Sequence, residues 1–424
     1  TLSQGLTVNG GTIKLDGNYP VGINNVALGD TALDDGSLSG NNNTAIGKAT
    51  LTGNTSGGEN TAVGTNALQT NSTGSNNVGL GTNALLSNTT ASNNTAVGYQ
   101  SLYDNTTGVR NSAYGDNSLA NNTTANNNNA FGYLSLNTNT TGTANVAMGT
   151  EALFSNTTAS NNTAVGYNAL VANTTGYNVT SVGYRSMAAN TTGHSSVAFG
   201  VDSLYTNTTG AENTAVGSRA MIYNSTGSSN TALGRRALEN NTTASNNTAV
   251  GYQSAYSNTT GIENTAVGRI AFYTNTTGQE NTYLGSASGY YNSTGSNNVG
   301  IGRQALTSNT TASNNTAVGY KAGYSNTTGV HNIAVGATAM QNTTTGLNNT
   351  AVGGAALISN TTGGTNTAIG RQALYLNTTA SNNTAVGYQA GLAVTTGTLN
   401  TFVGASAGDA VTTGANNICI GYDS

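Results

Sequence analysis

The sequence predicts an all-β fold, a repetitive β-solenoid of the β-roll or β-helix kind, with about 23 coils of 17 residues. The first observation is a glycine that follows a short apolar stretch and recurs with this period from Gly47 to Gly421 without a slip. The second is the strand-like Thr-Ala-Val triplet before many of these glycines. A helical repeat would need two helices and about 33 or more residues per unit, so one solenoid turn fits the period better.

The composition excludes several classes of protein. Charged residues make up 6% of the 424 residues, and there are 57 glycines, one proline and no tryptophan. The apolar residues, 36% of the chain, are regularly spaced, which favours order over disorder. With a net charge of −4 and no apolar run of about 20 residues, neither nucleic-acid binding nor membrane insertion is expected.

One coil, residues 93–108, illustrates how each element is assigned. Thr-Ala-Val followed by Gly98 predicts a short strand, a weaker second strand is expected near Ser101, and Asn-Thr-Thr-Gly predicts a turn. Val97 and Leu102 are bulky and apolar, as are their equivalents on other coils, so both are predicted to stack into the internal core. Gly98 also recurs on each coil, so Val97, Gly98 and Leu102 are each predicted to form a structural ladder, a column of equivalent residues stacked from coil to coil.

Asparagine recurs at both predicted corners of the coil. Asn94 represents one corner and Asn105 the other. Stacked amides hydrogen-bond between successive layers and tolerate left-handed backbone angles, so both residues are predicted to form structural ladders.

The residue two before the glycine is small on nearly every coil, and alternation along a strand places it on the face opposite to the bulky residue. An apolar strip of this kind on the outer face predicts a subunit interface and a parallel homotrimer. The proposed interface residues are Ala96, Ala113, Ala130, Ala147 and Ala164. Where Tyr283 and Phe402 replace the small residue, the chains are expected to spread or to let the rings fill the trimer axis.

The two ends of the chain depart from the repeat. Residues 1–24 are predicted to be lead-in or cap strands, and residues 25–424 to be the solenoid shaft. The chain stops at Ser424 early in a coil, so we expect the native protein to continue beyond it. Cys419 is the single cysteine, so no intrachain disulfide is expected.

The residues do not predict an enzyme, a cofactor or a metal site. His194 and His331 lie eight repeats apart and cannot meet in one chain. The corners carry Asn and Thr instead of the Asp residues that calcium-binding β-roll repeats use. The glycines are spaced by 17, unlike the tight clusters that cradle phosphates.

Charged residues and tyrosines fall into lanes. Glutamates precede a corner Asn and arginines follow the strand glycine, so pairs such as Glu212 with Arg219 or Glu263 with Arg269 are expected within or between chains. A stacked tyrosine stripe allows glycan binding, although packing on neighbouring coils is favoured. Asn-x-Thr triplets allow glycosylation in a glycosylating host.

The coil from Asn93 to Leu102 resembles the Asn-Ser-Val-Ala-Ile-Gly repeats of trimeric autotransporter adhesin heads, and more closely the repeats of marine phage tail fibre proteins. The lead-in segment 12–20 is also similar to those fibres. This resemblance spans the whole chain and implies no catalytic residues. It implies a fibre that often ends in an endosialidase-type intramolecular chaperone, which cleaves itself away.

The combined expectation is the structural shaft of a phage tail fibre, located on the virion. Its partners are expected to be copies of itself in a homotrimer, virion tail or baseplate proteins, and a host receptor, with a glycan as one candidate, reached through a tip outside this chain. A bacterial surface adhesin is the first alternative. An ice-binding solenoid is the second, because pairs such as Thr106 and Thr107 recur on successive coils, but consecutive residues of a strand face opposite sides.

Overall fold

The structure, a computed structural model, describes residues 23–424 and confirms the predicted fold within them. It is an all-β parallel solenoid of about 23 turns that repeat with the predicted period, and the described residues contain no helix. The chain forms two compact units that divide between Thr209 and Gly210. Nearly all of the predicted lead-in strands fall in residues 1–22, outside the described part.

Each turn contributes one strand of three residues. The strands of the first unit are β1 Val26–Leu28, β2 Thr44–Ile46, β3 Thr61–Val63, β4 Val78–Leu80, β5 Thr95–Val97, β6 Ser112–Tyr114, β7 Asn129–Phe131, β8 Val146–Met148, β9 Thr163–Val165, β10 Thr180–Val182 and β11 Val197–Phe199. The strands of the second unit are β12 Thr214–Val216, β13 Thr231–Leu233, β14 Thr248–Val250, β15 Thr265–Val267, β16 Thr282–Leu284, β17 Val299–Ile301, β18 Thr316–Val318, β19 Ile333–Val335, β20 Thr350–Val352, β21 Thr367–Ile369, β22 Thr384–Val386, β23 Thr401–Val403 and β24 Ile418–Ile420.

Within each unit, each strand pairs in parallel with the strand of the next turn, and the pairing keeps equivalent residues opposite one another. In β5 and β6, for example, Ala96 lies opposite Ala113 and Val97 opposite Tyr114. Equivalent positions therefore stack into continuous lanes along the sheet of each unit.

The structure reverses the two faces that the sequence predicted for the strand. The proposed interface residues all lie inside the coil with no exposed surface, so these alanines are not on an outer face: Ala96, Ala113, Ala130, Ala147 and Ala164. Val97, predicted to be core, is half-buried and points outward. The physical reason is space. Leu102 is fully buried and occupies the narrow interior, so the strand residue opposite must be small.

The segment after the glycine is a series of turns, so the expected second strand near Ser101 does not form. Gln100 and Leu102 both have left-handed backbone angles, with φ of 50° and 51°. Left-handed residues at alternate positions bend the chain too sharply for a strand. The same bend turns the Leu102 side chain into the interior.

Gly98 has a backbone conformation that other residues rarely adopt, with φ of 139°. A β-carbon added there would lie 2.4 Å from the carbonyl oxygen of Gly115 on the next turn. The close backbone approach explains why the sequence keeps a glycine at this position on each turn.

The two Asn lanes are buried and hydrogen-bonded from turn to turn. The Asn94 backbone N–H donates to Asn77 Oδ1 at 3.0 Å, and its Nδ2 donates to the Gly108 carbonyl at 2.8 Å. Asn105 Nδ2 donates to Asn88 Oδ1 at 2.9 Å and to the same carbonyl at 3.0 Å. These amides satisfy corner backbone groups that have no strand partner.

Two large aromatic residues sit in the core where other turns have alanine. Tyr283 and Phe402 are both fully buried, which corrects the expectation that their rings lie between chains. In each of these turns the leucine position holds a glycine, Gly289 or Gly408, and the ring occupies the space of the missing leucine. The Tyr283 hydroxyl has no hydrogen-bond partner, and burial raises the pKa of its phenol.

Candidate functional site

The candidate site is the outer strand face of the second unit, defined as the first and third residues of strands β12–β24. The third residue of every one of these strands is aliphatic and half-buried or exposed. These residues are Val216, Leu233, Val250, Val267, Leu284, Ile301, Val318, Val335, Val352, Ile369, Val386, Val403 and Ile420. The first residue is Thr, Val or Ile, so the outer strand face carries no charge.

The equivalent face of the first unit is more varied. Its third positions include Tyr114, Phe131, Met148 and Phe199, all exposed. The Tyr114 and Phe131 rings stack with centroids 4.7 Å apart. Large rings project further than valine, so this unit presents a less regular surface than the second unit.

Exposed charges of opposite sign lie at the two ends of the strands in the second unit. Glu263 comes two residues before β15, and Arg269 comes two residues after it. Glu280 occupies the same corner of the next turn, and Arg303 follows the strand β17. The described residues contain no ion pair between Glu263 and Arg269, contrary to one expected pairing within the chain.

A buried carboxylate that sequence reasoning missed takes the other expected partner. Arg219 Nη2 lies 2.9 Å from Glu239 Oε1 rather than beside Glu212. Glu239 is 1% exposed and also accepts a hydrogen bond from Arg236, which raises the pKa of that guanidinium. The sequence contained a signal for this cluster. Arg219 and Arg236 occupy the same position of successive repeats, which indicates a shared acidic partner. This cluster ties adjacent turns together.

The tyrosine lane after the core leucine is closed by its own stacking. Tyr256, Tyr273 and Tyr290 stack with centroids 5.0 and 5.1 Å apart and interplanar angles of 7° and 3°. A sugar ring stacks on an aromatic face, and these faces are covered by the neighbouring rings. Packing on neighbouring coils therefore explains these three tyrosines, and the middle ring, Tyr273, has both faces covered.

The histidine of the first unit packs against an aromatic ring. His194 stacks on Tyr177 with centroids 4.9 Å apart, and its Nδ1 lies 3.3 Å from the Ser195 hydroxyl. Residues 23–424 hold no group of three or more His, Cys, Asp or Glu side chains that could bind a metal ion. Over the same range, no helix has the length and apolarity needed to cross a membrane.

Two of the recurring Asn-x-Thr triplets, those that begin at Asn88 and at Asn93, lie in different environments. Asn88 is fully buried, and its Nδ2 donates to Asn71 Oδ1 and to the Ala91 carbonyl. Asn93 is exposed at a corner with φ of 63°. Of these two, only Asn93 presents its amide to a modifying enzyme in the folded chain.

The Thr-Thr pairs are also divided between two environments. Thr106 Oγ1 donates to the Thr123 carbonyl of the next turn at 3.0 Å, whereas Thr107 is exposed. The two neighbours thus face opposite directions, and within the Thr-Thr pair only the Thr107 lane is fully open to solvent.

No protein-family model matches the chain, and a search of the curated proteins finds no match. The resemblance to fibre and adhesin repeats therefore depends on the repeat residues themselves.

Proposed function

We propose that the chain is the structural shaft of a phage tail fibre. Its role is mechanical: it holds a receptor-binding tip away from the virion and transmits force to tail or baseplate proteins. The observation that carries this proposal is the uninterrupted parallel pairing within each unit, in which backbone ladders and buried amide ladders link each turn to the next. A stack with these links resists bending and sliding because displacement of one turn breaks many hydrogen bonds together.

We further propose that three parallel copies associate through the outer strand face of the second unit. The centre of this face is an uncharged aliphatic lane, which a soluble monomer rarely leaves exposed over such a length. The Glu263 edge and the Arg269 edge carry opposite charges and lack intrachain ion pairs with each other. In a cyclic assembly, one edge of each chain meets the opposite edge of its neighbour, so these charges are complementary.

Light scattering on the intact chain tests the association. The unmodified protein should have a mass of about three times its chain mass of 42.3 kDa. The double variant Val250→Glu and Val267→Glu places charges on adjacent turns of the outer strand face and should reduce the mass toward one chain. The matched control, Thr260→Glu and Thr277→Glu, places charges on the same turns at exposed corner positions and should leave the trimer intact.

A single-chain mass for the unmodified protein would reject the trimer. Equal masses for the two double variants would reject this face as the interface. The shaft role has a separate test in the flanking gene region. Tail genes and an endosialidase-type chaperone sequence next to the repeat would support it, whereas an adjoining membrane-anchor sequence would establish the bacterial adhesin instead.

A further inference from the structure

The corner ladder of asparagines that begins at Asn54 first lacks an asparagine at Thr343. On most of the turns before it, the Oδ1 accepts a hydrogen bond from the next Asn, as Asn292 Oδ1 does from Asn309 Nδ2 at 2.9 Å. Asn326 continues the ladder by donating to Asn309 Oδ1 at 2.9 Å. The following turn has Thr343 at this position, and Asn326 Oδ1 has no hydrogen-bond partner although the residue is only 2% exposed. An unpaired buried carbonyl oxygen costs about 1–3 kcal/mol.

A small cavity lies beside Asn326. Its lining includes Asn326, Thr343, Leu306, Gly323 and Met340, and its volume is about 10 Å³. Gly323 has the left-handed φ of 58° that leucine has on most turns, but it lacks the leucine side chain. The cavity is therefore the space of a missing leucine, and its lining includes the polar residues Thr316, Asn326, Asn332 and Thr343 as well as apolar ones.

We propose that this cavity binds one structural water molecule. The water donates a hydrogen bond to Asn326 Oδ1 and accepts one from the Thr343 hydroxyl. That hydroxyl oxygen already accepts from Asn360 Nδ2 at 3.4 Å, so its own proton is free to be donated. A buried water needs a space of at least about 10–15 Å³ and two to four polar partners, and this cavity meets both conditions at their lower limit. The water restores the link that the ladder loses at Thr343.

A second interruption in the same ladder provides an internal comparison. Asn377 Oδ1 is also buried and unpaired, because Val394 occupies the next ladder position. The adjacent leucine position is again a glycine, Gly391, but here the Phe402 ring lies within 2.7 Å of where a β-carbon would be. Val394 offers no polar atom and Phe402 takes the space, so this interruption is dry.

A high-resolution crystal structure of the intact chain and of two variants tests the proposal. We expect one ordered water between Asn326 and Thr343 in the unmodified protein and none beside Asn377. Thr343→Asn supplies the missing amide donor and should displace the water. Val394→Asn repairs the other interruption by the same chemistry and should leave the water in place.

Water relaxation dispersion in solution gives a second measurement that does not require crystals. It should detect one fewer long-lived buried water in Thr343→Asn than in the unmodified protein, and no change in Val394→Asn. An empty cavity in the unmodified crystal structure, or an equal number of long-lived waters in all three proteins, would overturn the proposal.

Discussion

The exchange of core volume between Tyr283 and Gly289 makes the sharpest prediction about packing. Most other turns use an alanine in the strand and a leucine or another apolar residue after it, whereas this turn uses a tyrosine and a glycine. A β-carbon added at Gly289 would lie 2.5 Å from the Tyr283 ring. Gly289→Leu alone should therefore destabilise the turn by about 1–3 kcal/mol or more through overpacking.

Tyr283→Ala alone should also destabilise the turn, for the opposite reason. Loss of a buried aromatic ring costs about 3–5 kcal/mol when the cavity does not collapse. Removing the unpaired hydroxyl stabilises the folded state by about 1–3 kcal/mol. The net decrease in the free energy of unfolding should therefore be about 2 kcal/mol.

The double variant should be close to the unmodified protein in stability, because it recreates the alanine and leucine of the other turns. Leu306, on the next turn, has φ of 48°, so the backbone at Gly289 accepts leucine without new strain. Native-state hydrogen exchange at the amides of residues 282–289 reports the local free energy of opening, and the coupling between the two substitutions should reach about 3 kcal/mol. Additive effects of the two substitutions would refute the packing argument.

Three further predictions concern the ladders and the surface. Val394→Asn should stabilise the protein against chemical denaturation by about 1 kcal/mol, since it pairs the buried Asn377 Oδ1, and it should stabilise more than Thr343→Asn, which replaces the proposed water link with an amide; a loss of stability in Val394→Asn would count against the ladder geometry. Glu239→Gln should lower stability by about 1–3 kcal/mol because two arginines lose their shared counter-charge, and the loss should be larger than that from Glu212→Gln at the exposed corner. The chain should show no thermal hysteresis in ice-growth assays, because the Thr106 lane is bonded to backbone; a clear signal that Thr107-lane substitutions abolish would reverse this expectation.

The repeat period was sufficient to predict the fold class. Three features that recur in the sequence are also found in the structure: the constant spacing between turns, the glycine lane, whose backbone lies close to the next turn, and the two asparagine lanes. Each of these features is local or recurs once per repeat. A single sequence therefore contains many examples of each, which is enough to recognise the pattern.

The direction of the strand faces was harder to predict. In a Thr-Ala-Val strand both candidate core residues are apolar, so hydrophobic alternation does not distinguish them, and side-chain size favoured Val97 wrongly. The distinguishing signal was compensation between positions. Tyr283 occurs with Gly289, and Phe402 with Gly408, which is expected only if the strand centre and the leucine position share one interior.

The most direct test of the solenoid is the deletion of one complete turn. Removing residues 248–264, a full repeat, joins Asn247 to Thr265 and keeps every lane in register. Removing residues 248–263, one residue fewer, shifts the Asn, Ala and Gly lanes by one position. Limited proteolysis followed by mass spectrometry should show that the full-repeat deletion is as resistant as the unmodified chain, whereas the shorter deletion is cut near the junction. Equal resistance of the two deletions would contradict the account.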